Sequence, residues 1–203
     1  MSAAPVVPLD LLCASGTSYF GVPATPYVPG GQGVGVVESS DTIAAGTRVW
    51  FFATAGMQPG DGSLAEHCAV PDAAVVPLAP EVPDELAAAL GLSGVAAWMA
   101  LSWRARLQPG ERALILGGGG AVGQVATGVA RVLGASAVVA MARPQSVERA
   151  SAAGADVVVP LTGDAEELAA SLAEHGPFDV VSTPSSVRRP RRRRCPLQST
   201  AGW

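Results

Sequence analysis

The feature that most constrains this chain is a run of four glycines, Gly117 to Gly120, set between the apolar segment Ala113–Leu116 and the Ala- and Val-rich segment that starts at Ala121. Glycine loses more backbone freedom on ordering than any other residue, so neither a helix nor a strand continues well through four of them. One element must end near Leu116 and another must begin near Ala121. Four apolar residues are too few for a helix and suit a buried strand, whereas the segment after the glycines is long enough for three helical turns. The alternation then repeats. Strands are expected at Ala113–Leu116, Ala137–Met141, Asp156–Val159 and Phe178–Val181, with helices at Ala121–Leu133, Ser146–Ala152 and Ala165–His175. Gly134, Gly154 and Gly176 each follow a helix end, where a left-handed cap is wanted. Asp164 and Glu167 have capping-box spacing, and Leu168 and Leu172 repeat at i, i+4. Short apolar strands alternating with helices predict an α/β layout, a parallel sheet covered on both faces.

The first eighty residues read differently. Short strands are expected at Val34–Val37, Arg48–Phe52, His67–Val70 and Val75–Pro77, cut by the turn pairs Pro29-Gly30 and Pro59-Gly60. Pro83-Asp84-Glu85 then opens a helix, with acids in the first turn where exposed amides favour negative charge. A length of 203 residues allows one large domain or two small ones, and 24 Gly with 17 Pro argue against a coiled coil.

Charge divides the chain sharply. Seven arginines stand against seventeen acids up to Val187, and six more arginines fall between Arg188 and Arg194. A body that acidic is a poor nucleic-acid binder, so no nucleic-acid partner is expected. The three cysteines, Cys13, Cys68 and Cys195, form no CxxC pair, which argues for a reducing compartment. Residues Met1 to Leu12 carry no basic region followed by a long apolar one, so no signal peptide is read there. Leu86–Trp103 and Ala113–Ala130 reach the length of a membrane span, but Ala, Gly and Ser gain little in hydrocarbon. Both are read as buried elements of a cytoplasmic protein with no membrane partner.

Gly118, Gly120 and Gly123 satisfy GxGxxG. In this pattern one glycine turns tightly, the next lets a pyrophosphate approach the backbone, and the third lets the helix pack on its strand. The cofactor-binding candidates are therefore Gly118, Gly119, Gly120, Ala121, Val122 and Gly123, with the phosphates at the helix amino terminus. The other reading is a plain glycine-rich turn. Context favours the first, because a strand precedes, a helix follows, and a second strand arrives about twenty residues on, where a ribose is read. A P-loop is excluded, since every basic residue is Arg. The second strand ends Ala140-Met141-Ala142-Arg143-Pro144. Ala142 cannot accept from a ribose 2′-hydroxyl, whereas Arg143 can pair with a 2′-phosphate, a contact of roughly 1.5–3 kcal/mol that favours NADP(H). Against this stands Arg143 as a solvated loop residue.

The order of motifs resembles the medium-chain dehydrogenase/reductase superfamily, in particular its zinc-free quinone oxidoreductase branch. The matching segments are 29–37 (PGGQGVGVV), 46–49 (GTRV), 62–67 (GSLAEH), 94–101 (GVAAWMAL) and 107–111 (LQPGE), followed by the glycine fingerprint. The resemblance covers roughly residues 5 to 181. It implies a partial GroES-like, β-rich catalytic domain at residues 1–82 and a partial Rossmann-type doubly wound parallel sheet at 83–187, with an Arg-rich tail at 188–203. Zinc-dependent relatives carry Gly-His-Glu where this chain has Gly30-Gly31-Gln32, so a histidine ligand is missing. No metal is expected, and His67 and Cys68 are read as structural. The implied chemistry is hydride transfer from NADPH to a small acceptor, a quinone or enone, and a homodimer is within what the resemblance allows. Tyr19 resembles a tyrosine that relatives place near the acceptor, where its hydroxyl can donate a hydrogen bond or proton; a packed or rim tyrosine is the other reading. Val7-Pro8-Leu9-Asp10 resembles an NPxD segment near the nicotinamide, with Val7 in place of the Asn. Trp98 and Trp103 are read as filling the interdomain core.

The family's six-stranded dinucleotide fold needs two further strands beyond the four seen here. Where relatives continue into a Gly-rich loop, this chain turns to Ser, Pro and Arg after Val181. A truncated chain or a shifted reading frame is the expectation, with a solvated basic tail as the other reading. An exposed sheet edge beside the fourth strand is expected to invite association. Two functional readings follow: an NADPH-dependent oxidoreductase, or a non-catalytic nucleotide-binding remnant.

Overall fold

In this computed structural model the described residues are 1–183 and 186–188. The chain divides into two compact units, Met1–Val95 and a second from Ala96 onward. The sequence reading puts the change earlier, at residues 82 and 83, where the helix opens.

The first unit begins with a short helix, α1 (Pro8–Ala14), in a region read as strands and loops. Pro8 opens it, and Asp10 accepts the Val7 amide at 2.8 Å. Seven residues carry too little periodicity to announce a helix. The sheet of this unit has the order β1 (Gln32–Val36), β2 (Arg48–Phe52), β3 (Val75–Pro77), antiparallel throughout. The expected strand His67–Val70 does not form. β2 is already flanked by β1 and β3, Val34 on the far side of β1 bridges to Ala3, and the segment pairs with neither edge of the sheet. Val34, Ala87 and Ala88 form the core, with Trp50, Leu78 and Val82 against it. Helix α2 (Asp84–Trp98) is broken at Gly91, where φ is +30°. Arg48 fixes the helix entry by donating to Asp84 and to the Val82 carbonyl.

The second unit holds a five-stranded sheet in the order β6 (Val157–Pro160), β5 (Ala137–Ala142), β4 (Arg112–Leu116), β7 (Val180–Thr183), β8 (Ser186–Arg188). The first four are parallel and β8 is antiparallel to β7. The edge expected to lie open beside the fourth strand is therefore paired by β8, and the expectations for residues 189–203 fall outside the described residues. Alternation along the strands sends Ala113, Ile115 and Val138 to one face with Ala126 and Ala130 of α3 (Ala121–Val132). Leu114, Val139 and Val159 face the other way, against Leu168 and Leu172 of α5 (Ala165–His175). Helix α4 (Val147–Ala152) covers Ala140 and Ala142 through Ala150. Both faces are covered, as continuously apolar strands require.

Gly134 and Gly154 are left-handed, with φ of +86° and +97°. Gly176 is extended instead (φ −80°, ψ −173°), because Pro177 follows it and a residue before proline is pushed out of the helical region. The last parallel strand starts at Val180 rather than Phe178, since the Asp179 carboxylate accepts the Arg112 amide at 3.0 Å ahead of the ladder. Trp98 and Trp103 do not fill a core: they are 46% and 61% exposed. The helical stretch Asp84–Arg104 is long and apolar enough to cross a membrane by length and composition, and 22% of its apolar window is buried, not the buried element expected from the sequence.

Candidate functional site

The glycine run forms a bend at the carboxyl end of β4, the middle strand of the five-stranded sheet. That is the edge at which open α/β sheets take ligands. Four of the five glycines, Gly117, Gly118, Gly119 and Gly123, each have a reason to lack a side chain. Gly117 is left-handed, with φ of +76°. A Cβ on Gly118 would lie 2.7 Å from the Ala140 methyl of β5, and one on Gly119 would lie 2.7 Å from the Ser146 carbonyl. One on Gly123 would collide with the Gly117 carbonyl oxygen and sit 2.8 Å from the Gly118 Cα. Gly120 differs from these. A Cβ there would find only the Gly117 carbonyl, at 3.4 Å, and open space beyond. The tight contacts thus pin the bend between β4, β5 and α3, and Gly120 alone looks outward.

Gly120 is also the residue before α3 and is in extended backbone (φ −83°, ψ 166°). It and Ala121 are exposed, whereas Gly118, Gly119 and Gly123 are each more enclosed. The amides of Ala121, Val122 and Gly123 meet no acceptor among the described residues. Three aligned donors at a helix amino terminus, reached through an unobstructed glycine, make a cradle for an anion.

A hydrogen bond ties the bend to the neighbouring strand, with the Gly118 amide donating to the Met141 carbonyl at 2.8 Å. The end of β5 therefore stands directly beside the glycine bend. Ala142 there is buried and offers no carboxylate. Arg143 follows it, exposed, with no hydrogen-bond partner for its guanidinium among the described residues. Sequence reasoning missed a second cation. Arg149, in the first turn of α4, is exposed and donates to the Ser146 hydroxyl at 2.9 Å, and Ser146 is the residue packed on Gly119. The strand end alone does not reveal it; the signal is the i, i+3 spacing of Ser146 and Arg149 on the helix that follows.

Tyr19 lies in the first unit, after α1. It is 89% exposed, with its ring against Phe20 at 4.0 Å between centroids. In the Val7–Asp10 segment the work falls to Asp10, which is buried and accepts the Gly31 amide at 2.9 Å besides that of Val7. Gln32, at the position of the zinc-type glutamate, is 1% exposed, and its side-chain carbonyl accepts the Leu92 amide. His67 is exposed and pairs with Glu38 at 3.1 Å. Burial, and then the Asp61 charge, push the Cys68 thiol up. Among the described residues no group of three or more His, Cys, Asp or Glu is gathered to hold a metal ion.

No family model matches the chain. It is 35% identical over 130 residues to a polypeptide of the phenolphthiocerol/phthiocerol polyketide synthase of Mycobacterium tuberculosis, covering 62% of this chain and 6% of that protein. It is 35% identical over 136 residues to the quinone oxidoreductase of Rattus norvegicus, covering 65% of this chain and 40% of the relative. Among solved structures, the quinone oxidoreductase from Thermus thermophilus, also solved in complex with NADPH, superposes with a TM-score of 0.69 at 32% identity, covering 88% of this chain and 54% of that one. The chain spans less than half the length of either curated relative. With a partial GroES-like first unit and a partial Rossmann-type second unit, the chain is similar to quinone oxidoreductases and alcohol dehydrogenase superfamily proteins of the medium-chain dehydrogenase/reductase type.

Proposed function

We propose that this chain is part of an NADPH-dependent, zinc-independent oxidoreductase of the quinone oxidoreductase type, acting on a small electron-poor acceptor, a quinone or enone, in the cytoplasm. One observation carries the reading: the mouth of the glycine bend is open at Gly120 and Ala121, and the amides behind it have no acceptor among the described residues. Preference for the 2′-phosphorylated cofactor is supported by Arg143 and Arg149 beside a strand end that has Ala142 in place of an acid. Zinc independence is supported by Gln32, whose side-chain carbonyl is committed to the Leu92 amide.

When bound, the nicotinamide supplies the hydride. The second unit's own part is to fix the diphosphate on backbone donors and the adenosine end on arginine, so that binding energy far from the reacting carbon orients it. On the first unit, Tyr19 offers an exposed hydroxyl as the acceptor-side donor.

The test is a titration of NADPH fluorescence with the 203-residue chain, followed by NADPH oxidation with a simple quinone. Saturable binding and steady oxidation are expected. Folded chain that leaves NADPH fluorescence unchanged overturns the nucleotide site, and binding without turnover leaves a nucleotide-binding remnant in place of an enzyme.

A further inference from the structure

The glycine bend is held by a side chain that the nucleotide reading does not use. Gln124, half-buried in the first turn of α3, donates its side-chain amide to the Gly119 carbonyl at 3.2 Å and reaches the Gly120 carbonyl at 3.5 Å. The backbone ladder of α3 starts with the Gln124 amide donating to the Gly120 carbonyl at 2.9 Å, so the Gly119 carbonyl takes no backbone amide among the described residues. Its partner is the Gln124 side chain.

A trans peptide points its N–H opposite to its C=O. Holding the Gly120 carbonyl toward Gln124 therefore turns the Ala121 amide the other way, and holding the Gly119 carbonyl keeps a partial negative charge out of the mouth. Glycine peptides rotate easily, and a bend of four glycines has no side chains of its own to stop such a rotation. We infer that Gln124 is a positioning residue for the nucleotide diphosphate: it anchors the Gly119 and Gly120 carbonyls on the helix side of the bend and leaves the first-turn amides of α3 as the donors at its mouth. Leucine at this position would keep the helix and lose the anchor. Glutamate would keep the shape, lose the donors and add a negative charge beside the phosphates.

The inference rests on the nucleotide reading above, and its test separates the two. NADPH affinity and melting temperature are measured for the intact chain and for Q124L and Q124E. The expected result is about tenfold weaker NADPH binding for Q124L, weaker still for Q124E, and melting temperatures within a degree or two of the parent. Q124L binding as tightly as the parent overturns the inference and leaves the nucleotide site standing. Loss of affinity that follows a lowered melting temperature overturns it too, because a merely structural side chain would behave so. If the parent chain binds no NADPH, the site reading itself fails and the inference falls with it.

Discussion

The Gln32 side-chain carbonyl accepts the Leu92 amide at 2.7 Å across the break in α2, and Gly91 is the residue that makes room for it. Gly91 has a positive φ, and a Cβ on it would collide with the Gln32 Oε1. One buried side chain from β1 thus restarts the helix after its interruption, by giving a partner to an amide that the break leaves without one. Q32L removes the acceptor and keeps the bulk. It is expected to lower stability by about 1–3 kcal/mol, the usual cost of a buried donor left unsatisfied. G91A adds the collision to the strain of its φ and should cost at least as much. Urea midpoints of the three chains decide the matter; a Q32L midpoint equal to the parent's would show that the hydrogen bond contributes nothing.

The glycines of the bend should separate by substitution. At Gly119 or Gly123 a larger residue meets backbone, so G119V and G123V are expected to lose about 1–3 kcal/mol or to misfold. At Gly120 the added atoms point into open space, so G120V should melt close to the parent while its side chain stands where the diphosphate would lie. NADPH titration and thermal melts on the same samples measure both effects. The pattern fails if G120V unfolds with the others or binds as the parent does.

Much of the second unit was legible because its signals are local. Apolar runs of four or five residues gave β4 and β5, glycines punctuated the helices, and Asp164 announced α5, where its carboxylate accepts the Glu166 and Glu167 amides. The first unit hid what depends on distant partners. His67–Val70 has a strand's composition but pairs with no strand, and α1 is stabilised by Asp10 reaching Gly31, twenty-one residues on. At the site, the glycines spoke for themselves, whereas Gln32 and Arg149 became visible only through the groups they touch.

Cofactor preference gives a charge test. Arg143 and Arg149 stand beside the strand end that would read the ribose, and an arginine-to-phosphate hydrogen bond contributes roughly 1.5–3 kcal/mol. R143A and R149A are each expected to weaken NADPH binding by about ten- to a hundredfold and to leave NADH binding nearly unchanged, since NADH carries no 2′-phosphate. Parallel titrations with the two nucleotides check this. Equal losses for both would place the arginines on the diphosphate, and no loss would make them solvated surface residues.

Acid should loosen the second unit through Asp156. Burial pushes its carboxyl up, but the Val138 amide at 2.7 Å and the Arg131 guanidinium more than offset this and hold it below the ordinary value of 3.8. A carboxylate whose folded pKa is depressed adds stability that is fully present above the unfolded pKa and is lost as pH falls through the folded one. The loss should therefore begin at about pH 4 and continue downward. The Arg131 and Asp156 side chains are 37% and 41% exposed, so solvent screens the pair and its share stays below about 1 kcal/mol. D156N should be less stable than the parent at neutral pH and should lack this part of the acid slope. Melting curves between about pH 3 and pH 7 measure the difference, and parallel slopes for the two chains would remove Asp156 from the account.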